Sequence, residues 1–256
     1  MTEPGSAGER GVLLAAKLHV PGPPPGFVAR PRLTGRLDEG RSRRLILVCA
    51  PAGSGKTALL AAWASGGRWP VAWLSLDEGD NDPARFWRHV AAALERARPG
   101  ISGRIGPLLG PALQSYTGVA AALVSELADR PAAGQALLVL DDYHLIGARQ
   151  VHASVQFLLG YVPPGLHLVL AARSDPPLRL SRLRARGEFT ELRAGDLRFT
   201  APEAAALLRE AVRPAESGAA MVTVIVSPQP DSRPAGQRAS RLRGAPTPPA
   251  EWRRGT

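Results

Sequence analysis

A single cysteine, Cys49, stands in 256 residues. It excludes a disulfide framework and a multi-cysteine metal site, and it fits a reducing, cytoplasmic setting. No apolar run approaches the roughly 18 residues of a membrane span. Leu13-Leu14-Ala15-Ala16 is too short for the core of a signal peptide. The five histidines (His19, His89, His144, His152 and His167) lack metal-ligand spacing. Aromatics are 5% of the chain, and Trp63, Trp69, Trp73, Phe86 and Trp87 read as packing residues. Lysine is nearly absent: Lys17 and Lys56 are the two, so 30 of the 32 basic residues are arginine. Against 22 acids this gives a formal net charge of +10. Such a balance can mark a nucleic-acid binder. The arginines are scattered, however, and few sit beside aromatics for base stacking, so a compositional excess is the simpler reading.

What is present is an alternation of strands and helices. Residues 1–34 read as an arm, because Val20-Pro21-Gly22-Pro23-Pro24-Pro25-Gly26 favours an extended path. The continuous apolar run Leu45–Cys49 is expected as a strand buried on both faces, Ala136–Leu140 as another buried strand, and Val71–Leu76 and His167–Ala171 as strands. A short fifth is expected at Phe189–Leu192. Helices are expected at Lys56–Ala64, Pro83–Ala97 (with Asp82 as cap), Val119–Ala128, Val151–Leu159 and Pro202–Glu210 (with Thr200 as cap). Gly- and Pro-rich residues 98–115 read as a loop. The pattern predicts an α/β domain over 35–212, a parallel sheet flanked by helices. The last 44 residues, 213–256, hold seven Pro, four Gly and seven Arg against three acids. They bury too little apolar surface to offset chain entropy and are expected to be a disordered tail.

Three segments carry chemistry. Ala50-Pro51-Ala52-Gly53-Ser54-Gly55-Lys56-Thr57 follows an expected strand and opens an expected helix, the context of a phosphate-binding loop. Ala52, Gly53, Ser54 and Gly55 would turn backbone N–H groups toward phosphate oxygens. Lys56 would reach the outer phosphates and Thr57 would ligate Mg²⁺. The usual first glycine of such a loop is Ala50, tolerable if that residue keeps negative φ. Leu137-Leu138-Val139-Leu140-Asp141-Asp142 runs a strand into two carboxylates: Asp141 as a Mg²⁺ ligand, Asp142 to orient or deprotonate an attacking water. Arg173, after the fourth strand, is a candidate to stabilise γ-phosphate charge. Arg36, ahead of the first strand, is a candidate to lie near the base of the nucleotide. Arg182, Arg184 and Arg186 read as a solvated basic face, and His144 as structural.

These strings resemble the large ATP-binding LuxR-type transcriptional regulators. The likeness is carried by Leu14–Pro21, Arg30–Leu33, the phosphate loop, Val71–Pro83 with Phe86-Trp87, Leu138–Ile146, and Arg173–Leu178. It runs from residue 13 to about 212. The resemblance implies a P-loop NTPase of the signal-transduction class, with ATP and Mg²⁺ as cofactors. It further implies self-association in the ATP-bound state and weak hydrolysis that resets it. It gives Lys56 and Thr57 the phosphate and Mg²⁺ contacts, Asp141 and Asp142 the acidic pair, and Arg173 a sensor role. The family pattern stops near Val212, with no sensor repeats or helix-turn-helix after it, so the expectation is a truncated or frameshifted regulator. Two other classes remain open on the residues alone: a stand-alone P-loop ATPase or kinase, and a non-specific nucleic-acid binder acting through the Arg-rich tail.

Overall fold

Five strands, four of them almost wholly apolar, form one parallel sheet in the computed structural model, which describes residues 15–109, 115–129 and 134–212. They are β1 (Leu45–Cys49), β2 (Val71–Ser75), β3 (Ala136–Asp141), β4 (Leu166–Ala172) and β5 (Phe189–Arg193), in the order β2-β3-β4-β1-β5. All five residues of β1 and all six of β3 are buried, as a sheet covered on both faces requires. The register pairs Leu45 with Leu168 and Phe189, and Leu137 with His167.

The helices are α1 (Pro31–Gly40), α2 (Lys56–Ala64), α3 (Pro83–Ala97), α4 (Ser102–Ile105), α5 (Tyr116–Ala128), α6 (Arg149–Tyr161), α7 (Ser181–Ala185) and α8 (Ala201–Val212). Alternation along each strand divides the core between two faces. Leu45 and Leu47 face α3, α5 and α6, whose Trp87, Leu123 and Val155 join the same cluster. Ile46 and Val48 face α1 and α2, through Leu37 and Leu60. The chain leaving β1 therefore turns to one face, and the chain leaving β3 to the other. Their carboxyl ends, separated by β4, flank the point where the chain changes face, which is where open α/β sheets bind ligands. Among the described residues, no helix is long and apolar enough to cross a membrane.

Three expectations need revision. The stretch expected as an arm to residue 34 gives way to α1 at Pro31, where proline suits the first helical turn and Leu33 and Leu37, four apart, are both buried. The proline-rich segment before it does run extended, but it is fastened at both ends. Lys17 pairs with Asp77 (3.0 Å) and with the buried Asp80. The buried Arg30 donates to the carbonyls of Leu197 (2.7 Å) and Arg198 (2.8 Å) and lies over the Phe199 ring. The loop expected over 98–115 contains α4 and a 3₁₀ turn, Gly106–Leu109, held down by the buried Ile101 and Ile105. The short helix α7 was not anticipated. The disordered tail expected over 213–256 and the arm's first 14 residues lie outside the described residues.

Candidate functional site

The phosphate loop occupies the turn between β1 and α2. Gly53 has φ +74° and Gly55 φ +77°, left-handed values that strain any residue with a Cβ. A Cβ built on either would meet nothing within 4 Å, so the glycines are required by backbone conformation, and the space above the loop is open. Among the described non-glycine residues only Asp142 has positive φ, so Ala50 keeps negative φ and the missing glycine does not alter the loop. The Ala50 amide donates instead to Ala172 at the end of β4, 3.2 Å away.

Lys56 opens α2 and its side chain is buried under the loop. Its Nζ donates to the carbonyls of Ala50 (2.9 Å) and Pro51 (3.0 Å). Burial lowers its pKa. The Asp142 charge opposes that fall, Arg173 adds to it, and Asp141 opposes it. Thr57 follows, and its hydroxyl donates to Oδ2 of Asp141 at 2.8 Å. Asp141 is buried at the end of β3, and its Oδ1 accepts from the Asp142 amide at 3.0 Å. Desolvation raises the Asp141 carboxyl, the Thr57 hydroxyl resists this, and the adjacent Asp142 charge adds to it.

Asp142 sits at φ 57°, in the left-handed region that aspartate tolerates better than most residues. This turn starts a 3₁₀ segment, Tyr143–Leu145, which folds His144 back beside the acidic pair. His144 Nδ1 stands 3.7 Å from Asp142 Oδ1, and both ring nitrogens are buried without a hydrogen-bond partner. Desolvation and the Arg173 charge lower its pKa. The tight turn brings His144, two residues beyond Asp142, beside that carboxylate. Arg173 lies exposed just past β4, close enough for its charge to act on both Lys56 and His144. The Thr57–Asp141 and Asp141–Asp142 hydrogen bonds bring the loop and the acidic pair together, and Arg173 acts on Lys56 through its charge.

Arg36, the candidate for the base of the nucleotide, lies on α1, its guanidinium paired with Asp196 and donating to the Glu191 carbonyl at 2.9 Å. Among the described residues, no hydrogen bond or ion pair joins it to the phosphate loop. Cys49 is buried at the end of β1, and desolvation raises its thiol pKa, as expected of an inert cysteine.

The donor set fits a nucleotide polyphosphate and a hard divalent cation. The loop offers turned backbone and open space, Lys56 offers a buried ammonium, and Thr57 and Asp141 present oxygen ligands side by side. The chain is similar to the HTH-type transcriptional regulator MalT of Cronobacter sakazakii, with 36% identity over 212 residues, 80% of this chain and 23% of that protein. It is 38% identical over 196 residues to MalT of Serratia proteamaculans, covering 75% of this chain and 21% of that one. The chain thus spans about a fifth of the length of the curated relatives it matches. Among solved structures, the Walker-type ATPase paby2304 of Pyrococcus abyssi is 15% identical, with a TM-score of 0.45 over 73% of this chain and 58% of that one, too slight a likeness to bear on function. The profile of the AAA domain matches residues 38–173, more than half of the sequence. The chain belongs to the AAA domain family, and its matched region is similar to the ATPase part of MalT-like regulators.

Proposed function

We propose that this chain binds ATP with Mg²⁺ at the loop of residues 50–57, hydrolyses it slowly, and acts as the nucleotide-dependent cytoplasmic module of a transcriptional regulator. The observation that carries the reading is the Thr57–Asp141 hydrogen bond, which sets two oxygen ligands together beside the buried ammonium of Lys56. In this reading the amides of Ala52 to Thr57 and the Lys56 ammonium bind the phosphates. Thr57 and Asp141 hold the cation, whose charge, when bound, would offset that of the phosphate oxygens. Asp142 orients the attacking water and Arg173 responds to the γ-phosphate. ATP occupancy would favour self-association, and hydrolysis would end it. The name of the relatives, HTH-type transcriptional regulators, supports a transcriptional output for that cycle. The test is ATP hydrolysis by the purified chain under Mg²⁺ titration, wild type against Asp142→Asn. The reading predicts slow, Mg²⁺-dependent release of phosphate that falls at least about tenfold in the variant while ATP still binds. Equal rates in the two proteins would remove Asp142 from this role.

A further inference from the structure

Away from the phosphate loop, at the other end of the sheet, lies a cavity of about 450 Å³. It is bounded by the end of α6, by α7, and by the residues leading into β1 and β5. Arg44, which lines it, directly precedes β1, and the loop follows the last residue of that strand. The length of β1 alone, about 17 Å, separates the two.

The lining includes four arginines, Arg44, Arg179, Arg182 and Arg186, and one carboxylate, Glu188. Arg44 accounts for that carboxylate: its Nε stands 3.3 Å from Glu188 Oε2, and its Nη1 donates to the Gly160 carbonyl at 3.1 Å. Arg179, Arg182 and Arg186 have no ion pair among the described residues. Arg30, Arg32, Arg36, Arg41, Arg85 and Arg193 each face a carboxylate, and other arginines without an ion pair among the described residues, such as Arg88 and Arg149, lie outside this cavity. An excess of arginine from composition alone explains the number of the lining arginines but not their convergence on one concavity. Like charges gathered in a cleft focus a positive potential there, and an anion relieves their repulsion. Leu159 and Leu183, both buried, give the cavity an apolar floor.

We propose that this cavity is a binding site, separate from the phosphate loop, for a compact small molecule bearing two or more phosphate or carboxylate groups. Its volume lies in the range of small-ligand sites. Guanidinium groups are suited to both oxyanions, because their planar forks bind two oxygens at once. Three uncompensated arginines match a ligand of two to four negative charges, and the leucine floor suits a small carbon body between them. The site would give the protein a second ligand besides its nucleotide, and its existence does not depend on nucleotide binding.

Pyrophosphate and citrate serve as probes in calorimetric titrations, in Mg²⁺-free buffer, of the wild type and the following variants. Arg182→Gln combined with Arg186→Gln removes two lining charges at exposed positions, and thermal melting verifies that the variant remains folded. Arg88→Gln combined with Arg149→Gln removes the same charge from exposed positions outside the cavity. Lys56→Ala silences the phosphate loop. The expected result is saturable binding of at least one probe at one site per chain in Lys56→Ala as in the wild type. That binding should weaken about tenfold or more in the cavity variant and much less in the control. The probe that binds identifies the preferred oxyanion. Absence of saturable binding by both probes overturns the proposal. So does binding that disappears with Lys56→Ala, which belongs to the loop, and so does an equal loss in the control, which reflects net charge alone.

Discussion

The hydroxyl of Thr57 donates to Oδ2 of Asp141 at 2.8 Å, across 84 residues of sequence and the whole width of β4. Thr57 stands at the start of α2 and Asp141 at the end of β3, and the parallel register brings both to the same edge of the sheet. The arrangement has an electrostatic cost before any cation arrives. Asp141 is buried and its carboxyl is raised above the ordinary aspartate range. For a raised carboxyl, the favourable contribution of the protonated form is present below the unfolded value, about 3.9, and is lost as pH rises through the folded value. At neutral pH the ionised group therefore destabilises the nucleotide-free protein.

Asp141→Asn should relieve that cost. The Thr57 hydroxyl can turn from donor to acceptor, so an amide fits the same place. The nucleotide-free variant is expected to melt above the wild type, by about 2–4 °C for each kcal/mol relieved. It should also lose Mg²⁺-dependent stabilisation by nucleotide. Calorimetric melting at pH 7 with and without MgATP checks both; a lower melting temperature would show that the charged form is not the costly one.

Gly55→Ala tests the loop's backbone directly. No neighbour would meet the added methyl, so the effect is conformational. Forcing a Cβ into φ +77° costs about 1–2 kcal/mol, or else the loop turns away and the amides lose their aim. Either way nucleotide affinity should fall, by about tenfold for 1.4 kcal/mol. Unchanged affinity and stability would mean that the loop does not need this conformation.

Asp80 gives the protein an acid limit. Its carboxylate is fully buried, and burial alone would raise its pKa. The His89 ring, the Lys17 ammonium and the Asp77 amide outweigh burial and hold it at about 2. A depressed carboxyl contributes stability above its unfolded value and loses it as pH falls toward the folded one. On the order of 2 kcal/mol should therefore disappear between about pH 4 and pH 2. Urea titrations across that window would measure it. Lys17→Met, which leaves a buried charge less compensated, should cost about 3 kcal/mol at pH 7. A loss under about 0.5 kcal/mol, the size of an ordinary surface change, would show that the N-terminal strap is not fastened through Lys17.

The sequence was most legible where the chemistry is local. The run Leu45–Cys49 followed by Gly53, Gly55, Lys56 and Thr57 announces strand, turn and helix within thirteen residues, and the structure has them there. Leu137–Leu140 ahead of Asp141 was equally plain. What escaped reading depends on distant partners. Helix α1 has only two buried leucines and a proline-rich approach, and it is held by groups more than 150 residues away, such as Asp196 against Arg36. The same pairing gives Arg36 a partner that no local pattern reveals. The place of His144 beside the acidic pair comes from the left-handed turn at Asp142, a backbone state seldom written in composition. Residues 98–115 looked like loop because Gly and Pro dominate them, yet Ile101 and Ile105 reach the core and pin a short helix.

The central claim is that the loop between β1 and α2 holds a nucleotide through Lys56. The measurement that tests it most directly is calorimetric titration of MgATP into the purified chain, wild type against Lys56→Ala. Saturable binding at one site per chain, lost or weakened at least about a hundredfold in the variant, is the predicted result. Equal affinity in both proteins, or no binding by a folded wild type, would contradict it.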